Sequence, residues 1–287
     1  MKPSLKTKTG IRVGRISYIN SIPFYHRLSE KPSSEPASPL EFVEGYPAQV
    51  NAAMCQGKVD VAPISSLEYL HRQKDYVILP DLAIGSRDFS GSVLLISKEK
   101  IDGLDGEKIA LARQSLSSCA LLRILFKFKY KFKNEFTVEN GNPAEMIKNY
   151  KAALVIGDEA LLYHPEEFVY KYDLSELWWN WTAKPFCFAV WAARREFAEK
   201  HPEELKAFYR RLKKNLEANL RDIEALLKDA VNLTFLDERF PKLFGYLFNL
   251  NYGLDLSMRE GLELFFRLAQ RLGGSPRPEK LEFAKVE

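Results

Sequence analysis

The sequence contains few of the residues that build disulfide frameworks and metal sites. Of its 287 residues, three are cysteines and four are histidines. Cys55, Cys119 and Cys187 are odd in number, far apart and set in apolar surroundings, which predicts reduced, buried thiols rather than disulfides. The histidines stand alone, with no second Cys or His at ligand spacing, at His26, His71, His164 and His201. We therefore expect no zinc or iron site.

Long apolar runs and a strong charge of either sign are also missing. Nowhere do about 18 uninterrupted apolar residues occur, the length that a membrane-spanning helix needs. The start, MKPSLKTKTG, has lysines but no apolar stretch that could form a secretory signal. Lys and Arg number 42 against 38 Asp and Glu, a net charge of +4, too even for nucleic acid or an anionic membrane to be the main partner. We expect a globular protein of the cytoplasm.

What the chain does contain is an alternation of strand-like and helical patterns. With 46% hydrophobic residues it can fill two cores. Strands are predicted at 11–17, 40–44, 59–64, 76–80, 92–97, 108–112, 152–157 and 186–191. Helical patterns lie at 46–56 and 66–72, from Pro202 through about Ala230, and at 257–272. This alternation predicts an α/β fold with a parallel or mixed sheet in each lobe.

Local signals sharpen some of these boundaries. Ser257 and Glu260 form a capping box at the start of the last helix, and Gly273 is its predicted stop. The segment KPSSEPASP at 31–39 is predicted to be a surface loop, because its prolines and serines cannot sustain a helix or an inner strand.

One segment, FKFKYKFK at 126–133, alternates aromatic rings with lysines. Such a pattern is found in platforms for single-stranded nucleic acid. It equally describes an exposed strand or helix end with rings inward and ammonium groups outward. We favour the second interpretation, because the rest of the chain supplies no wider basic face.

The first strand-like run ends in a polar turn. IRVGRI at 11–16 is typical of a buried parallel strand, and Asn20 and Ser21 follow it just before Pro23, which suits the start of a helix. Open α/β sheets bind ligands at the carboxyl ends of their strands. The turn therefore predicts a ligand site, although the two side chains could simply cap the helix.

Two further strand ends allow the same pair of interpretations. Ser65 follows the strand at 59–64 and stands three residues before Glu68, a capping-box arrangement. Asp158 follows the strand at 152–157 and could cap the next helix, contact a ligand or transfer a proton.

A serine-rich helix start follows the strand at 108–112. Ser115, Ser117 and Ser118 lead into an apolar helix. Free backbone amides and the helix dipole both favour negative charge at such a terminus, so this segment predicts a carboxylate site.

Eight segments in chain order carry a resemblance to a known family: SYINSIP at 17–23, GKVDVAPISSLEYL at 57–70, ILPDLAI at 78–84, SVLLIS at 92–97, SLSS at 115–118, IGDEALL at 156–162, YDLSELWWNWTAKPFCFAVW at 172–191 and NYGLD at 251–255. The ordered set resembles the chorismate dehydratase family of the futalosine route to menaquinone, the MqnA family, over nearly the whole chain. One departure is TAKPF, where the family usually has Thr-Gly-Leu-Pro-Phe, so that Ala183 and Lys184 stand in place of Gly and Leu. The loop at 31–39 also looks longer than is usual.

The resemblance implies a fold like that of the type II periplasmic binding proteins, in which two α/β lobes are joined by two crossing strands. Lobe one would comprise residues 1–95 and 188–287, and lobe two residues 96–187, with SVLLIS and FCFAVW as the crossing strands. The substrate would bind in the cleft between the lobes, and clefts of this kind close on their ligand.

The resemblance also implies a cofactor-independent lyase whose substrate is chorismate and whose product is 3-[(1-carboxyvinyl)oxy]benzoate. The substrate-binding residues would be Ser17, Asn20, Ser65, Ser92 at the hinge, Ser115, Ser117, Ser118 and Asp158. Asn20, which has both a donor and an acceptor, is the predicted catalytic group nearest the reacting ring carbons. The C3 proton would pass either to Asp158 or to the substrate's own enolpyruvyl carboxylate, and we favour the substrate.

Three alternatives remain. The sister enzyme 1,4-dihydroxy-6-naphthoate synthase has a Ser-Pro-Cys-Pro-Asn opening where this chain has SYINSIP. A solute-binding protein that delivers a small anion to a transporter would carry a signal peptide. A ligand-sensing domain of a transcription regulator would come with a separate helix-turn-helix.

Overall fold

The computed structural model describes residues 10–30, 38–140, 142–162, 170–234 and 237–286. The strands within these ranges are β1 Ile11–Ile16, β2 Leu40–Gly45, β3 Val61–Ser65, β4 Tyr76–Ser86, β5 Val93–Ser97, β6 Lys108–Ala112, β7 Glu135–Glu139, β8 Ala152–Ile156, β9 Tyr170–Asp173, β10 Phe186–Arg194 and β11 Leu250–Asn251. The helices are α1 Ile22–Tyr25, α2 Pro47–Cys55, α3 Ser66–His71, α4 Leu116–Ile124, α5 Pro143–Asn149, α6 Gly157–Leu162, α7 Leu174–Thr182, α8 Arg195–Lys200, α9 Pro202–Arg221, α10 Ile223–Val231, α11 Phe240–Asn249 and α12 Leu256–Leu272. Short 3-10 turns occupy Ile19–Ser21 and Ile101–Leu104.

The strands form two mixed sheets, which confirms the predicted α/β fold. The first sheet has the order β11-β4-β10-β3-β1-β2 and the second the order β7-β6-β8-β5-β9. Strand β1 is parallel to β2 and β3, and β6 is parallel to β7 and β8. The other neighbours pair antiparallel.

The chain passes between the two sheets twice within the described residues. The two strands predicted to cross between the lobes are β5 and β10. Strand β5 pairs with β8 and β9 of the second sheet, and β10 pairs with β3 and β4 of the first sheet. Each of them therefore lies within one sheet. The passages are residues 87–92 and 174–185. The predicted lobes, 1–95 with 188–287 and 96–187, stay a prediction. The points at which the chain leaves one sheet for the other lie a few residues away from these predicted limits.

Aromatic packing fixes the first polar turn on the first sheet. Trp191 of β10 is fully buried, with the ring centroids of Phe24 in α1 and Phe208 in α9 at 5.2 and 6.1 Å. Burial of one large apolar side chain stabilises a fold by about 1.5–3 kcal/mol. Because α1 is anchored in this way, the turn that precedes it is held at the carboxyl end of β1.

All eight predicted strands are present, and all except β6 have shifted ends. Strand β4 is longer than predicted and runs on to Ser86. Three strands were not predicted, namely β7, β9 and β11, and each lies at the edge of its sheet. Edge strands bury fewer apolar side chains than central ones, so their sequence signal is weaker.

The helical pattern predicted from Pro202 to about Ala230 forms two helices, α9 and α10. They meet at Asp222, which caps α10 by accepting a hydrogen bond from Ala225 N at 2.9 Å. This side chain offers the backbone an alternative partner at that point.

The capping box predicted at Ser257 and Glu260 is wrong. Helix α12 begins at Leu256, and its cap is Asp255, whose Oδ1 accepts from Met258 N at 2.8 Å. Asp is as good a cap as Ser, so the sequence offers two starts that are two residues apart. The predicted stop at Gly273 is confirmed.

The alternating segment at 126–133 is the end of a helix. A π-helical turn, Leu125–Tyr130, continues α4 and ends at Lys131, which is left-handed with φ 66°. Phe126 is buried, and its ring packs edge-on against Tyr130 and Phe132. The helix-end interpretation of this pattern is therefore confirmed.

The three cysteines are free, but they are not all buried. Cys187 is buried, Cys119 is half-buried, and Cys55, which ends α2, is exposed. The prediction of a buried thiol is therefore wrong for Cys55, because it lies on the outer face of its helix.

Parts of two sequence predictions fall outside the described residues, namely most of the loop at 31–39 and His164. In the part of the chain that the structure describes, no helix has the length and apolar character needed to cross a membrane.

Candidate active site between the two sheets

A cavity of about 60 Å³ lies where the two sheets meet. Its polar lining consists of Tyr18, Asn20, Ser65, Ser92, Ser115 and Ser118. Its apolar walls are formed by Ile16, Pro47, Ile84, Val93, Ile156, Phe188, Ala189 and Leu250, with Gly157 beside them. The structure thus brings together five of the residues predicted from the sequence to bind substrate.

Asn20 lies in the 3-10 turn between β1 and α1. Ser21 tightens this turn by donating to Ile16 O at 2.6 Å and to Tyr18 O at 2.8 Å, and it makes no side-chain cap on α1. The Asn20 Oδ1 atom is buried and has no hydrogen-bond partner among the described residues. An unpaired buried acceptor costs about 1–3 kcal/mol, so this atom is well suited to accept from a ligand.

Ser65 caps a helix and also lines the cavity. It caps α3 by accepting from Glu68 N at 3.2 Å, and Asn51 Nδ2 donates to the same Oγ at 3.4 Å. The cap interpretation is therefore confirmed. Because both contacts use the oxygen as an acceptor, the hydroxyl hydrogen remains for a group in the cavity.

Ser115 and Ser118 form a pair at the start of α4. Ser115 Oγ accepts from Ser118 N at 3.2 Å, and the two hydroxyl oxygens are 2.7 Å apart with Ser115 as the donor. The Ser118 hydrogen is thereby left for an acceptor elsewhere. The N-terminus of α4 opens on the cavity here, and α2 begins beside it at Pro47. Both helix dipoles favour an anion at this place.

Ser92 lies at the end of the first passage between the sheets. Its backbone oxygen accepts from Gly157 N at 2.8 Å. Its Oγ accepts from the hydroxyl of Tyr246 at 2.9 Å. Burial raises the pKa of the Tyr246 phenol, which keeps its hydrogen.

The described residues that line the cavity include no charged side chain. Tyr18 is the most acidic type among them, and burial raises the pKa of its phenol, with Asp158 and Glu159 raising it further. The site therefore offers neutral hydrogen-bonding groups and helix dipoles to a ligand rather than ion pairs.

Three predicted residues do not line this cavity. Ser17 is exposed. Ser117 is buried, and its Oγ accepts from Leu67 N at 3.1 Å, so it fastens α4 to α3. Asp158 lies in the first turn of α6, and its Oδ1 accepts from Ile19 N at 3.1 Å instead of capping that helix.

The Asp158 contact joins the second sheet to the turn that carries Asn20. Burial raises the pKa of this carboxyl group, and the hydrogen bond from Ile19 opposes the shift. Beside it, Gly157 has φ +67°, and a Cβ there would stand 2.8 Å from the ring of Tyr18. The two sheets are in close contact at this point.

The departure at TAKPF lies away from the cavity. Ala183 ends α7 in the left-handed region, with φ 53°. Lys184 forms an ion pair with Glu260 of α12. Neither residue is part of the lining.

Sequence reasoning missed three contributors to the site. Tyr18 stands next to the predicted turn and could have been found there. Phe188 and Tyr246 lie in apolar segments whose pattern indicates burial alone, so no sequence signal marked them as part of a site. Within the described residues, no group of three or more His, Cys, Asp or Glu could hold a metal ion.

The chain matches the family model described as menaquinone biosynthesis over residues 11–271. It is 29% identical over 277 residues to the chorismate dehydratase of Thermus thermophilus, covering 91% of this chain and 94% of that protein. A solved protein from Archaeoglobus fulgidus superposes with a TM-score of 0.70 at 18% identity, covering 93% of this chain and 99% of the other. The periplasmic aliphatic sulphonate binding protein SsuA from Escherichia coli gives 0.59 at 19% identity, covering 96% of each chain. The fold is thus that of the periplasmic binding proteins, and the chain belongs to the menaquinone biosynthesis family.

Proposed function

We propose that this protein is a chorismate dehydratase, a cofactor-independent lyase of the futalosine route to menaquinone. It removes water from chorismate and releases 3-[(1-carboxyvinyl)oxy]benzoate. The family match and the similarity to the Thermus thermophilus enzyme support this assignment. The cytoplasmic location predicted from the sequence is part of the same proposal.

The observation that carries the proposal is a neutral cavity rich in hydrogen-bond donors between apolar walls. Chorismate needs little more than that. Its C3 hydrogen is acidified through the double bond conjugated to the C1 carboxylate. Once that proton has left, the C4 hydroxyl departs, and the product ring is aromatic. The protein has to fix the ring carboxylate and stabilise the charge that develops on it.

The start of α4 fits the ring carboxylate. Ser115 and Ser118 supply hydroxyl groups there, and the helix dipole favours negative charge. Preorganised donors of this kind are each worth about 10²–10³ in rate. They act most strongly in a site that excludes water.

Asn20 is the group that we place nearest the reacting carbons. Its unpaired Oδ1 can accept from the C4 hydroxyl and hold that group in position. The base is then the enolpyruvyl carboxylate of the substrate, which is covalently held near C3 and so has a high effective concentration. Asp158, the alternative base, is engaged by Ile19 N and is not a lining residue.

The test is incubation of the pure protein with chorismate, followed by proton NMR. We expect the ring vinyl signals to be replaced by those of a substituted benzoate, and Asn20→Ala to slow this conversion by about 10²-fold or more. As a control, Asn51→Ala removes an amide that hydrogen-bonds Ser65 but does not line the cavity. It should retain more activity than Asn20→Ala.

A non-catalytic binding protein for small anions is the second candidate. The helix starts of α2 and α4 at the cavity favour it, because they suit any carboxylate. Saturable binding of chorismate with no product after long incubation would favour this function over the first.

A further inference from the structure

Tyr246 of α11 lies behind the cavity and is bonded to one of its polar residues. The side chain is buried, with 6% of the residue exposed. Its hydroxyl donates to Ser92 Oγ at 2.9 Å, while Tyr246 itself is not a lining residue. It can therefore act on a ligand in the cavity only through another residue.

The hydrogen bond from Tyr246 determines how Ser92 uses its own hydroxyl. A serine hydroxyl carries one hydrogen and rotates to suit its neighbours. Because Tyr246 already donates to the Ser92 oxygen, the Ser92 hydrogen is left for an acceptor in the cavity. The Ser92 backbone is fixed as well, since its N donates to Ser90 Oγ at 3.4 Å and its O accepts from Gly157 N at 2.8 Å.

Burial raises the pKa of the Tyr246 phenol, which therefore keeps the hydrogen that it donates to Ser92 Oγ.

We propose that Tyr246 is a positioning residue for the dehydration, which turns the Ser92 hydroxyl towards the substrate. Ser92 then donates to the oxygen on which charge develops as the C3 proton leaves. This inference rests on the proposed function, because it concerns the rate of that reaction.

The first experiment compares two tyrosine variants by steady-state kinetics with chorismate. Tyr246→Phe fills the same space and removes only the hydroxyl. We expect kcat to fall about 10- to 100-fold, less than the 10²–10³ for complete loss of a preorganised donor, with KM changed by no more than about threefold. The matched control is Tyr69→Phe, which removes a buried hydroxyl that accepts from Glu282 N at 3.2 Å. It should lower stability and leave kcat unchanged.

A double-mutant cycle with Ser92→Ala separates positioning from a merely structural role. If Tyr246 acts through Ser92, adding Tyr246→Phe to Ser92→Ala should slow turnover by no more than about threefold further. Losses that multiply, or full kcat in Tyr246→Phe alone, would overturn the inference and leave the proposed function intact. No turnover by the unaltered protein would overturn both.

If Tyr246→Phe does not fold, a second variant tests the same inference. Incorporation of 3-fluorotyrosine at position 246 keeps the hydroxyl and makes it a stronger donor. We expect kcat to change in the parent protein and to stay constant in the Ser92→Ala variant. If the fluorine leaves kcat unchanged in the parent protein as well as in the Ser92→Ala variant, the inference is overturned.

Discussion

At the residue scale, two neighbouring serines have different surroundings. Ser118 lines the cavity, whereas Ser117 accepts from Leu67 N outside it. Successive residues on a helix point about 100° apart, so one of the pair faces the cavity and the other faces α3.

These positions predict opposite effects for the same substitution. Ser118→Ala should lower kcat/KM by about 10²–10³, as for a lost donor to developing charge. Ser117→Ala should leave kcat/KM unchanged and lower the free energy of unfolding by about 1–3 kcal/mol, because Leu67 N loses its partner. Kinetics with chorismate and urea unfolding of both variants check this. Equal effects of the two variants on kcat/KM would contradict the placement.

Asp158 lies next to the turn that carries Asn20, and it is the carboxylate that we consider as an alternative base. Asp158→Asn keeps an oxygen that can accept from Ile19 N and removes the charge. We expect the rate of the chemical step to stay within about tenfold of the parent, because the substrate supplies the base. Single-turnover kinetics across pH provide the measurement. A loss of about a thousandfold, together with the disappearance of the acidic limb, would identify Asp158 as the base.

The same variant has a stability signature. Burial raises the folded pKa of Asp158 above the unfolded value of about 3.9. The protonated group therefore contributes stability in full below about pH 3.9, and this contribution is lost as pH rises through the higher folded pKa. Asp158→Asn should thus become more stable relative to the parent as pH rises through that window. Urea unfolding at several pH values tests this, and a constant difference would contradict it.

The sequence predicted the residues of the site better than their contacts. Polar residues after buried strands marked Asn20, Ser65, Ser115 and Ser118, because the α/β topology itself gathers strand ends, and the family resemblance added Ser92. The pattern could not separate Ser117 from Ser118, since that depends on helix rotation. Nor could it indicate Tyr246, which is 154 residues away from Ser92 in the chain and comes next to it only in the folded protein. The catalytic and binding roles of these residues stay predictions.

At the element scale, the end of α7 carries a residue that glycine would suit better. Ala183 has φ 53°, and an L-residue other than glycine pays about 1–2 kcal/mol in that region. Ala183→Gly should therefore raise the free energy of unfolding by about 1 kcal/mol.

A matched substitution provides the control for this prediction. Ala218 is exposed within α9, where Ala218→Gly should lower the free energy of unfolding by about 1 kcal/mol. Urea unfolding of the two variants gives the comparison. A loss of stability in both would show that the left-handed cap is not present.

Elements with strong periodicity were predictable, and those set by one local contact were not. The central strands carried continuous apolar runs, and their existence was predicted correctly. The break at Asp222 and the cap at Asp255 depend on a single hydrogen bond each. Several nearby residues could make such a bond, so the sequence alone does not choose between them.

At the scale of the whole molecule, the cavity is too small for its proposed ligand. Its volume is about 60 Å³, whereas a cavity of about 150 Å³ is known to hold benzene. Chorismate is larger than benzene, so the two sheets have to move apart for it to enter. The contact of Gly157 with Tyr18 and the bond from Ile19 to Asp158 would re-form as the cleft closes.

Gly157→Ala tests the importance of this contact. The added Cβ would stand 2.8 Å from the ring of Tyr18, so closure should be hindered and kcat lowered by about tenfold or more. Gly106→Ala is the control, because Gly106 has φ +75° but nothing within 4 Å of the added atom. Both variants carry similar backbone strain. The same kcat in the two variants would contradict a role for this contact in closure.

The central claim is that a neutral cavity dehydrates chorismate with a base that the substrate supplies. The most direct measurement compares, under single-turnover conditions with saturating protein, chorismate and its methyl ester at the enolpyruvyl carboxylate. The account predicts that the ester binds but forms the aromatic product about a thousandfold more slowly or not at all. Formation of product from the ester at a rate close to that of chorismate would show that the protein supplies the base and would contradict the claim.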